Sequence, residues 1–331
     1  MKLLFFLSGS NTSFASEEVI SLLGAYNIKY ELIFAEGQFL IIDVNHLDLS
    51  FIFRLGLTHF VLNVIIESNI YEEVEKITSK IEWDSYLDLD RTFKVRVKQK
   101  GNCFENLELI IAKSISNYFE DKIKADLTKP MDEIIGILYG NKLIIGKKIF
   151  ERNKKDFNKR KPQLRPFFSP TSIDPRIARA MINVSQAKKE VLDPFTGTGG
   201  ILIEAGLLGL DIYGIDIEER SVIGTRTNLL NYGINQHDIK LGDARKIHDL
   251  FDRCFESIVT DAPYGRSTKI DKDKDKMYRD SFISIFDSFK KRCVIGLNRE
   301  YPFEEIGFSI ESVYKFRVHK SLTRHLYILS K

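Results

Sequence analysis

The stretch that decides the fold is VLDPFTGTGGILIEAGLL, residues 191–208. An apolar strand leads into a loop with three glycines, and an apolar helix-forming run follows. Glycines at such a turn let the backbone approach a ligand, and the N–H groups of the following helix point toward it. Asp193 precedes the loop, and a carboxylate at a strand end suits a cationic group better than a pyrophosphate. The pattern predicts a strand–loop–helix unit with a ligand site at the loop.

Three further strands of this region are predicted to end in carboxylates. DIYGIDIEER carries Asp216, IKLGDARKI carries Asp243 and IVTDAPYG carries Asp261. Asp216 stands about 20 residues beyond Asp193, the spacing at which an acidic side chain takes ribose hydroxyls. One such aspartate is explained equally well as a helix cap. Four in succession predict a crevice for an adenosine-bearing cation and a second substrate.

The order of elements predicts the fold class. Strands and helices alternate from about residue 171 to 300, which indicates a doubly wound, mostly parallel sheet. Two extended runs at the C-terminal end predict an antiparallel last pair of strands. The composition is that of a globular protein, with 331 residues of which 44% are hydrophobic. The fold class is therefore α/β.

Composition also excludes several classes of protein. The apolar run in MKLLFFLSGS is too short for a secretion signal and predicts a strand. No stretch reaches the roughly 20 apolar residues that span a bilayer. Cys103, Cys254 and Cys293 lack the spacing of a metal site or of a disulfide framework, so we expect no metal and a cytoplasmic location.

The chain divides by pattern into four segments. Residues 1–50 predict a small α+β unit, and residues 51–155 predict a second α+β unit. Residues 156–170 contain Pro162, Pro166 and Pro170 and predict a non-helical linker. Residues 171–331 form the catalytic candidate, and a fragment from about Pro162 is expected to bind the cofactor alone. The run DKDKDKMYRD at 271–280 is expected to be a loop, either a mobile flap over substrate or simply solvated.

The charge is unevenly distributed. The net charge is +3, yet ten Lys and Arg stand against two acids between Lys142 and Arg165. A basic segment on an otherwise acidic chain is typical of a protein with a polyanionic partner such as nucleic acid, and a solvated linker is the alternative. In TFKVRVKQK, basic residues alternate along a strand and share one face. The substrate-binding candidates are Lys94, Arg96, Lys98, Lys147, Lys148, Arg152, Lys154 and Lys155.

Several motifs resemble those of a known family. VLDPFTGTGG, IYGIDI, LGDAR and VTDAPYG resemble the ordered motifs of Rossmann-like class I S-adenosylmethionine-dependent methyltransferases that modify exocyclic amines through Asp/Asn-Pro-Pro-Tyr/Phe. RPFFSPTSIDPRIARAMIN is similar to their upstream cofactor motif. Residues 1–50 and 51–155 resemble the ferredoxin-like and THUMP domains of tRNA modification enzymes. DAPYGRST and HKSLTRH resemble segments of the archaeal tRNA guanine-N2 methyltransferases that act at position ten.

The resemblance implies roles for individual residues. The cofactor would be S-adenosylmethionine and the partner tRNA. The carboxylate of Asp261 and the carbonyl of Ala262 would hold the two hydrogens of the guanine amino group, Pro263 would fix the turn, and Tyr264 would stack on a base rotated out of its helix. The implied cofactor contacts are Asp193, Thr196, Gly197 and Gly199 for the methionine part, Asp216 for the ribose, and Asp243 with Ala244 for adenine.

The chain departs from the family pattern at two positions. Ala262 stands at the first proline of the signature, and Ser169 stands at an expected histidine. Because the site uses the carbonyl of residue 262, we expect Ala262→Pro to be tolerated. His319, Arg324 and His325 are further candidates for RNA contact.

The alternatives left open concern the substrate, the product and the assembly. The substrate could instead be another tRNA guanosine such as position six, or DNA adenine, although the THUMP-like region disfavours DNA. A non-catalytic RNA-binding protein is the alternative from a different class. The sequence leaves open monomethylation against dimethylation and the need for a small activating protein, and we expect a monomer.

Overall fold

A computed structural model describes residues 1–45, 48–69, 74–100, 106–170, 172–263, 272–319 and 322–331. Its strands are β1 (Lys2–Leu7), β2 (Tyr30–Glu36), β3 (Phe39–Val44), β4 (Thr58–Asn69), β5 (Phe93–Lys100), β6 (Asp132–Tyr139), β7 (Lys142–Glu151), β8 (Glu190–Asp193), β9 (Asp211–Asp216), β10 (Asp238–Leu241), β11 (Ser257–Asp261), β12 (Cys293–Leu297), β13 (Ser309–His319) and β14 (Leu322–Ser330). Its α-helices are α1 (Thr12–Ala25), α2 (Val74–Thr78), α3 (Leu107–Tyr118), α4 (Lys154–Lys159), α5 (Pro175–Val184), α6 (Gly200–Gly206), α7 (Glu219–Asn231), α8 (Ile247–Phe251) and α9 (Lys272–Ser288). The chain forms two compact units.

The first unit consists of Met1–Leu7, Lys29–Leu47 and Thr58–Glu151. Its seven strands make one sheet in the order β2-β3-β1-β4-β7-β6-β5, antiparallel except for the parallel pair β5 and β6. Helices α2 and α3 cover the end of the sheet formed by β5, β6 and β7, around the fully buried Trp83 and Ile111. The indole N–H of Trp83 donates to the hydroxyl of Ser114, so the buried ring keeps its hydrogen bond.

This sheet crosses the boundary predicted at residue 50. Strands β1, β2 and β3 precede the boundary and β4 follows it, yet β1 pairs with both β3 and β4. Three short strands bury little apolar surface alone, and continuing the sheet through β4 buries Leu3 and Leu4 completely. The four predicted segments therefore stay a prediction, while the strands on both sides of residue 50 share one sheet.

The second unit consists of Ser8–Ile28, Asp48–Leu57 and Arg152–Lys331. Its sheet has the order β10-β9-β8-β11-β12-β14-β13. The first five strands are parallel, and β14 pairs antiparallel with both β12 and β13. The predicted fold class, a doubly wound, mostly parallel sheet with antiparallel strands at its end, is confirmed. Among the described residues, no helix combines the length and the apolar character needed to cross a bilayer.

Two segments predicted to be non-helical contain helices. The predicted linker 156–170 starts inside α4, whose first turn is capped by the Asn153 side chain, and continues with a 3-10 turn at Pro162–Leu164. Residues before Pro162 can form a helix because Asn153 caps it, and the prolines prevent a regular helix only from residue 162 onward. Helix α9 begins at Lys272, so residues 272–280 are not a loop.

Helix α1 belongs to the second unit although it lies near the N-terminus. It packs on α5, and its Phe14 ring lies 5.1 Å from the ring of Tyr314. The fully buried Glu18 carboxylate accepts hydrogen bonds from the backbone N–H groups of Gly56 and Leu57 and from the Asn183 amide, at 2.7 to 2.8 Å. Burial nevertheless raises the pKa of Glu18.

The composition of the second unit argues against the expected autonomy of a fragment starting near Pro162, which stays a prediction. Such a fragment lacks α1 and the segment 48–57, which supply the partners of Asn183 on α5. It also exposes the apolar surface that Phe14 covers. Experiments on cofactor and RNA binding accordingly need the full chain.

We expect Glu18→Ala to lower the free energy of unfolding by about 3 kcal/mol or more, because it leaves two buried N–H groups and a buried amide without an acceptor. Chemical denaturation of the full chain measures this. The control is Glu305→Ala, which removes an exposed carboxylate of the same unit and should stay within about 0.5 kcal/mol. Equal stability of the two variants would contradict the assigned role of Glu18.

Candidate active site

The candidate site lies at the carboxyl edge of the parallel sheet, where the strand order reverses. The chain runs from β8 outward to β9 and β10 and then returns to β11 on the other side of β8. Ligands of open α/β sheets bind at such a switch point. A cavity of about 730 Å³ opens there. Its lining includes the predicted residues Asp193, Thr196, Gly197, Asp216, Asp243, Ala244, Asp261 and Pro263.

The glycine loop shapes one wall of the cavity. Gly197 and Gly199 have φ of 53° and 75°, a left-handed backbone that disfavours side chains. A Cβ at Gly199 would also press on Thr225 of α7, whose hydroxyl donates to the Gly197 carbonyl at 3.1 Å. The predicted role of both glycines, a close backbone approach, thus has a geometric basis. Gly199 lies between Thr198 and Gly200, which both line the cavity.

Asp193 is the carboxylate at the end of β8, and it is 2% exposed. It accepts a hydrogen bond from the Thr260 hydroxyl at 2.6 Å and one from the backbone N–H of Phe195 at 3.1 Å. Burial, with smaller contributions from the nearby carboxylates of Asp216 and Asp261, raises the pKa of Asp193 to about 7. No basic side chain of the described residues pairs with this carboxylate, so its charge state near neutral pH depends on what enters the cavity.

Asp216 ends β9 and is held by backbone amides. Its Oδ2 accepts from the N–H of Gly197 at 2.8 Å, and its Oδ1 accepts from the N–H of Glu218 at 3.0 Å. Burial raises its pKa in spite of these bonds. The carboxylate ties the glycine loop to β9, and its remaining lone pairs are available to hydroxyl donors in the cavity.

Asp243, two residues beyond β10, is neutralised locally. Its carboxylate accepts two hydrogen bonds of 2.9 Å from Arg245, one from the backbone N–H and one from Nε of the guanidinium. The pairing with this guanidinium lowers the pKa of Asp243. Ala244 beside it is buried. Arg245 also lines the cavity, and no pattern in the sequence singled it out.

Asp261 ends β11 and forms an ion pair that sequence analysis missed. Arg324 of β14 donates to it from Nε at 3.1 Å and from Nη2 at 2.8 Å. Gly296 of β12 lies between them, and a Cβ there would collide with Oδ1 of Asp261. Arg324 is 7% exposed and His325 is 8% exposed, so neither is an accessible RNA contact as had been suggested. Burial lowers the pKa of His325, and the His319 side chain lies outside the described residues.

The turn after Asp261 is fixed through its backbone. The N–H of Ala262 donates to the Gly296 carbonyl at 2.9 Å, and the hydroxyl of Tyr278 on α9 donates to the Pro263 carbonyl. A proline at position 262 has no N–H, so Ala262→Pro would lose this hydrogen bond. The expectation that the substitution is tolerated did not include this loss. The predicted stacking residue Tyr264 lies outside the described residues.

The segment around Phe167 forms another wall of the cavity. Asn228 of α7 accepts from the Phe167 N–H at 2.9 Å and donates to the Phe167 carbonyl at 2.8 Å. The Phe167 ring packs against Gly224, where any Cβ would overlap it. Phe167, Phe168 and Ser169 line the cavity, so the upstream motif contacts the site even with Ser169 at the position of the expected histidine.

The predicted substrate-binding residues fall into two groups. The first group has partners within the protein. Four of its members form ion pairs: Lys94 and Lys148 with Glu133, Arg96 with Glu108, and Lys147 with Asp132. Arg152 is buried and donates to the Gly56 carbonyl, and Lys98 lies over the rings of Phe6 and Phe60. Lys154 and Lys155 of α4 are exposed, as are Lys159 and Lys161 beyond them. None of these four has an ion-pair partner within the described part of the chain.

Comparisons with known proteins agree with this architecture. Residues 162–325 match the family described as RMKL-like, methyltransferase domain, and residues 69–146 match the THUMP domain. The chain is 38% identical to the tRNA (guanine(10)-N2)-dimethyltransferase of Pyrococcus abyssi, covering 89% of this chain and 90% of that protein. It is 32% identical to the protein of the same name from Methanothermobacter thermautotrophicus, over 100% of both chains.

The solved structure of TrmN from Thermus thermophilus aligns over 100% of both chains with a TM-score of 0.59 and 18% identity, which shows a shared fold. The switch-point cavity and its acidic strand ends lie within the part of the chain that matches the methyltransferase domain. Identity above 30% over most of both chains extends the likeness to the whole protein. The chain therefore belongs to the tRNA (guanine(10)-N2)-dimethyltransferase family.

Proposed function

We propose that this protein transfers methyl groups from S-adenosylmethionine to the exocyclic N2 of guanosine 10 in tRNA, giving N2-methylguanosine and then the dimethylated base. The observation that carries the proposal is the Asp261 carboxylate, which lines the same switch-point cavity as the glycine loop and Asp193. The family to which the chain belongs supports the nucleotide and its position.

The residues of the cavity fit the cofactor. Its volume suits a molecule of nucleoside size. Asp193 offers a buried carboxylate to the cationic methionine part, Asp216 offers acceptors to ribose hydroxyls, and Asp243 with Ala244 borders the space for adenine. When bound, S-adenosylmethionine supplies an electrophilic methyl group on a sulfonium. Thr196, Gly197 and Gly199 would approach the methionine part through the backbone of the loop.

Asp261 and Ala262 would act on the amino group of guanine. The lone pair of N2 is delocalised into the ring, so N2 attacks a methyl group poorly while it is planar. The Asp261 carboxylate and the Ala262 carbonyl accept its two hydrogens and favour a pyramidal nitrogen, and the carboxylate stabilises the positive charge that develops on N2. N2 would lose one proton as the N–C bond forms and the bond between that methyl group and sulfur breaks, leaving its electron pair on sulfur, and Asp261 would be the proton acceptor beside N2. Pro263 fixes the turn that aims both acceptors.

A second transfer meets the same residues with one hydrogen fewer. Monomethylated N2 keeps one N–H, which Asp261 can still accept, while the methyl group takes the place of the other hydrogen. Ala262 has no pyrrolidine ring, so it adds less bulk near that methyl group than proline would. The names of the relatives record dimethylation, and this supports the second step here.

The basic face of the segment that starts at α4 supplies a grip on tRNA phosphates. Lys154, Lys155, Lys159 and Lys161 are exposed within eight positions of each other, with Asp156 the acid among them. The basic residues of β5 and β7 contribute less free charge, because acids beside them neutralise most of it. Phosphate contacts orient the RNA without reading its sequence, so the THUMP domain is the proposed partner in selecting the nucleotide.

The setting of the enzyme is proposed from the same features. Cys254 and Cys293 are free thiols, which suits a reducing cytoplasm. A monomer is proposed, and light scattering on the purified chain measures the oligomeric state. The need for a small activating protein is answered by assaying methyl transfer with the purified chain alone.

Asp261→Asn should lower the single-turnover rate of methyl transfer by ~10² to 10³, because an amide carries no charge to stabilise the reacting nitrogen. The affinity for S-adenosylmethionine should stay within a few fold. Methylated nucleosides of unmodified tRNA transcripts incubated with each protein are mapped by mass spectrometry. Methylation at position six, or none by the wild-type protein that binds the cofactor, would contradict the proposed substrate.

The affinity for S-adenosylmethionine should decrease as the pH is lowered. With a pKa of about 7, Asp193 is largely protonated at pH 6 and largely ionised at pH 8. A cationic ligand binds the ionised form, so affinity should be about tenfold weaker at pH 6 than at pH 8, with proton release on binding. Calorimetric titration measures both effects. Thr260→Val removes a hydroxyl donor to the carboxylate and should move the transition to higher pH, whereas affinity independent of pH would contradict the role of Asp193.

Replacing Lys154 and Lys155 together by Ala should weaken tRNA binding and lower the slope of log affinity against log salt by about one per lost phosphate contact. The control replaces Lys189 and Lys290 by Ala, which removes the same charge at the amino ends of β8 and β12, the edge of the sheet opposite the cavity. Equal slopes for the two double variants would show that the face at α4 does not hold phosphates.

A further inference from the structure

The ion pair between Asp261 and Arg324 spans an intervening strand. Asp261 is paired in register with Gly296 of β12, and Gly296 is paired with Leu326 of β14. Arg324 is two residues from Leu326 and reaches Asp261 past Gly296, across two strand spacings of about 4.8 Å each. Arginine combines this reach with two parallel N–H donors, and both are used here.

Gly296 leaves the space that the ion pair needs. A Cβ at this position would collide with Oδ1 of Asp261 and press on Leu326. Gly296 also accepts the N–H of Ala262, so one residue positions both the side chain of Asp261 and the start of the turn. The two acceptors proposed for the guanine amino group, on Asp261 and Ala262, are therefore both positioned by residues of β12 and β14.

The electrostatic setting gives Arg324 a second role. Asp193 lies close enough to Asp261 for the charge of Asp261 to raise its pKa. Repulsion acts equally on Asp261, and Arg324 offsets it with a nearly buried positive charge. Tyr278 of α9 meets the turn at Pro263, and Gly296 contributes no charge. The other titratable groups lining the cavity are Asp216, Glu218, Arg220, Asp243 and Arg245.

We propose that Arg324 is the positioning residue of methyl transfer, which aims the Asp261 carboxylate through a two-point contact across Gly296 and keeps it ionised beside Asp193. This inference rests on the proposed function and deepens it. Arg324 contacts Asp261 and acts on the substrate through that carboxylate. Its charge sets the pH range of activity, and its fork-shaped geometry sets the rate.

The test compares Arg324→Gln and Arg324→Lys in the full chain, using single-turnover methyl transfer to a tRNA transcript at saturating cofactor over a range of pH. Arg324→Gln should lower the rate about ten- to hundred-fold, the range known for groups that orient metal ligands. The acid limb of its pH profile should move up by about one pH unit or more. Arg324→Lys keeps the charge, so its acid limb should stay near that of the wild type while its rate falls.

A double-mutant cycle separates positioning from general damage. Because Arg324 acts through Asp261, adding Arg324→Gln to Asp261→Asn should cost less than about threefold in rate. Gly296→Ala should lower the rate by displacing the carboxylate while both charges remain, so its acid limb should not move. Arg317→Gln removes an exposed guanidinium from β13 and is the control, with an unchanged pH profile. Cofactor affinity and thermal unfolding are measured for every variant.

The outcomes distinguish the inference from the function on which it rests. If the wild-type chain transfers no methyl group to tRNA, the proposed function fails. If it does, and Arg324→Gln lowers the rate with an unmoved acid limb and by the same factor in the Asp261→Asn background, Arg324 is structural and the inference is overturned. If Arg324→Gln does not fold, a wild-type rate in either Arg324→Lys or Gly296→Ala overturns it.

Discussion

The organising constraint of the second unit is the burial of carboxylates at one edge of a parallel sheet, where the charges of Asp216 and Asp261 also raise the pKa of Asp193. Asp193, Asp216, Asp243 and Asp261 all line a single cavity. Clustered carboxylates in a region poor in water resist ionisation, so each needs its own compensation. Asp216 is held by two backbone amides, and guanidinium groups neutralise Asp243 and Asp261. Asp193 receives hydrogen bonds from a hydroxyl and an amide, and within the described ranges it forms no ion pair.

This difference in compensation divides the cavity into parts with different chemistry. The Asp261 end carries a paired and rigid carboxylate, suited to accepting hydrogen bonds from a neutral amino group. The Asp193 end carries a buried carboxylate with a displaced pKa, suited to receiving a cation. Two aspartates at the ends of neighbouring strands, β8 and β11, thus have different surroundings, which is why we propose different tasks for them.

Local patterns predicted the parts of the site that are close in sequence. The glycine loop, the acidic strand ends and the parallel sheet followed from strand period and turn chemistry, because each depends on residues within one strand–loop–helix unit. Arg324 could not be assigned in this way, since it meets Asp261 across 63 residues through a strand that neither belongs to. Glu18 likewise meets Asn183 at a separation of 165 residues.

Counting charges in the sequence missed their pairing for a related reason. The window from Lys142 to Arg165 and the alternating bases of β5 were both predicted to meet a polyanion, but Lys94 lies opposite Glu133 on β5 and β6, and Lys148 of the window reaches the same acid. A strand places alternate residues on one face, so acids on the next strand neutralise bases that look free in sequence. Within that window, the described lysines that are exposed and have no ion-pair partner include Lys154, Lys155, Lys159 and Lys161.

The electrostatics of the cavity also bear on the end of the proposed reaction. Methyl transfer removes the positive charge of the sulfonium, so the product of the cofactor is left beside an ionised Asp193 with one attraction fewer. Burial then favours protonation of that carboxylate, which its pKa near 7 allows at cellular pH. Arg324 would favour the return of Asp261 to its charged form after it has taken the proton of N2, because its guanidinium does not titrate. The site would thus adjust its affinity for the cofactor at Asp193, while the acceptor of the guanine amino group is restored for a second methylation.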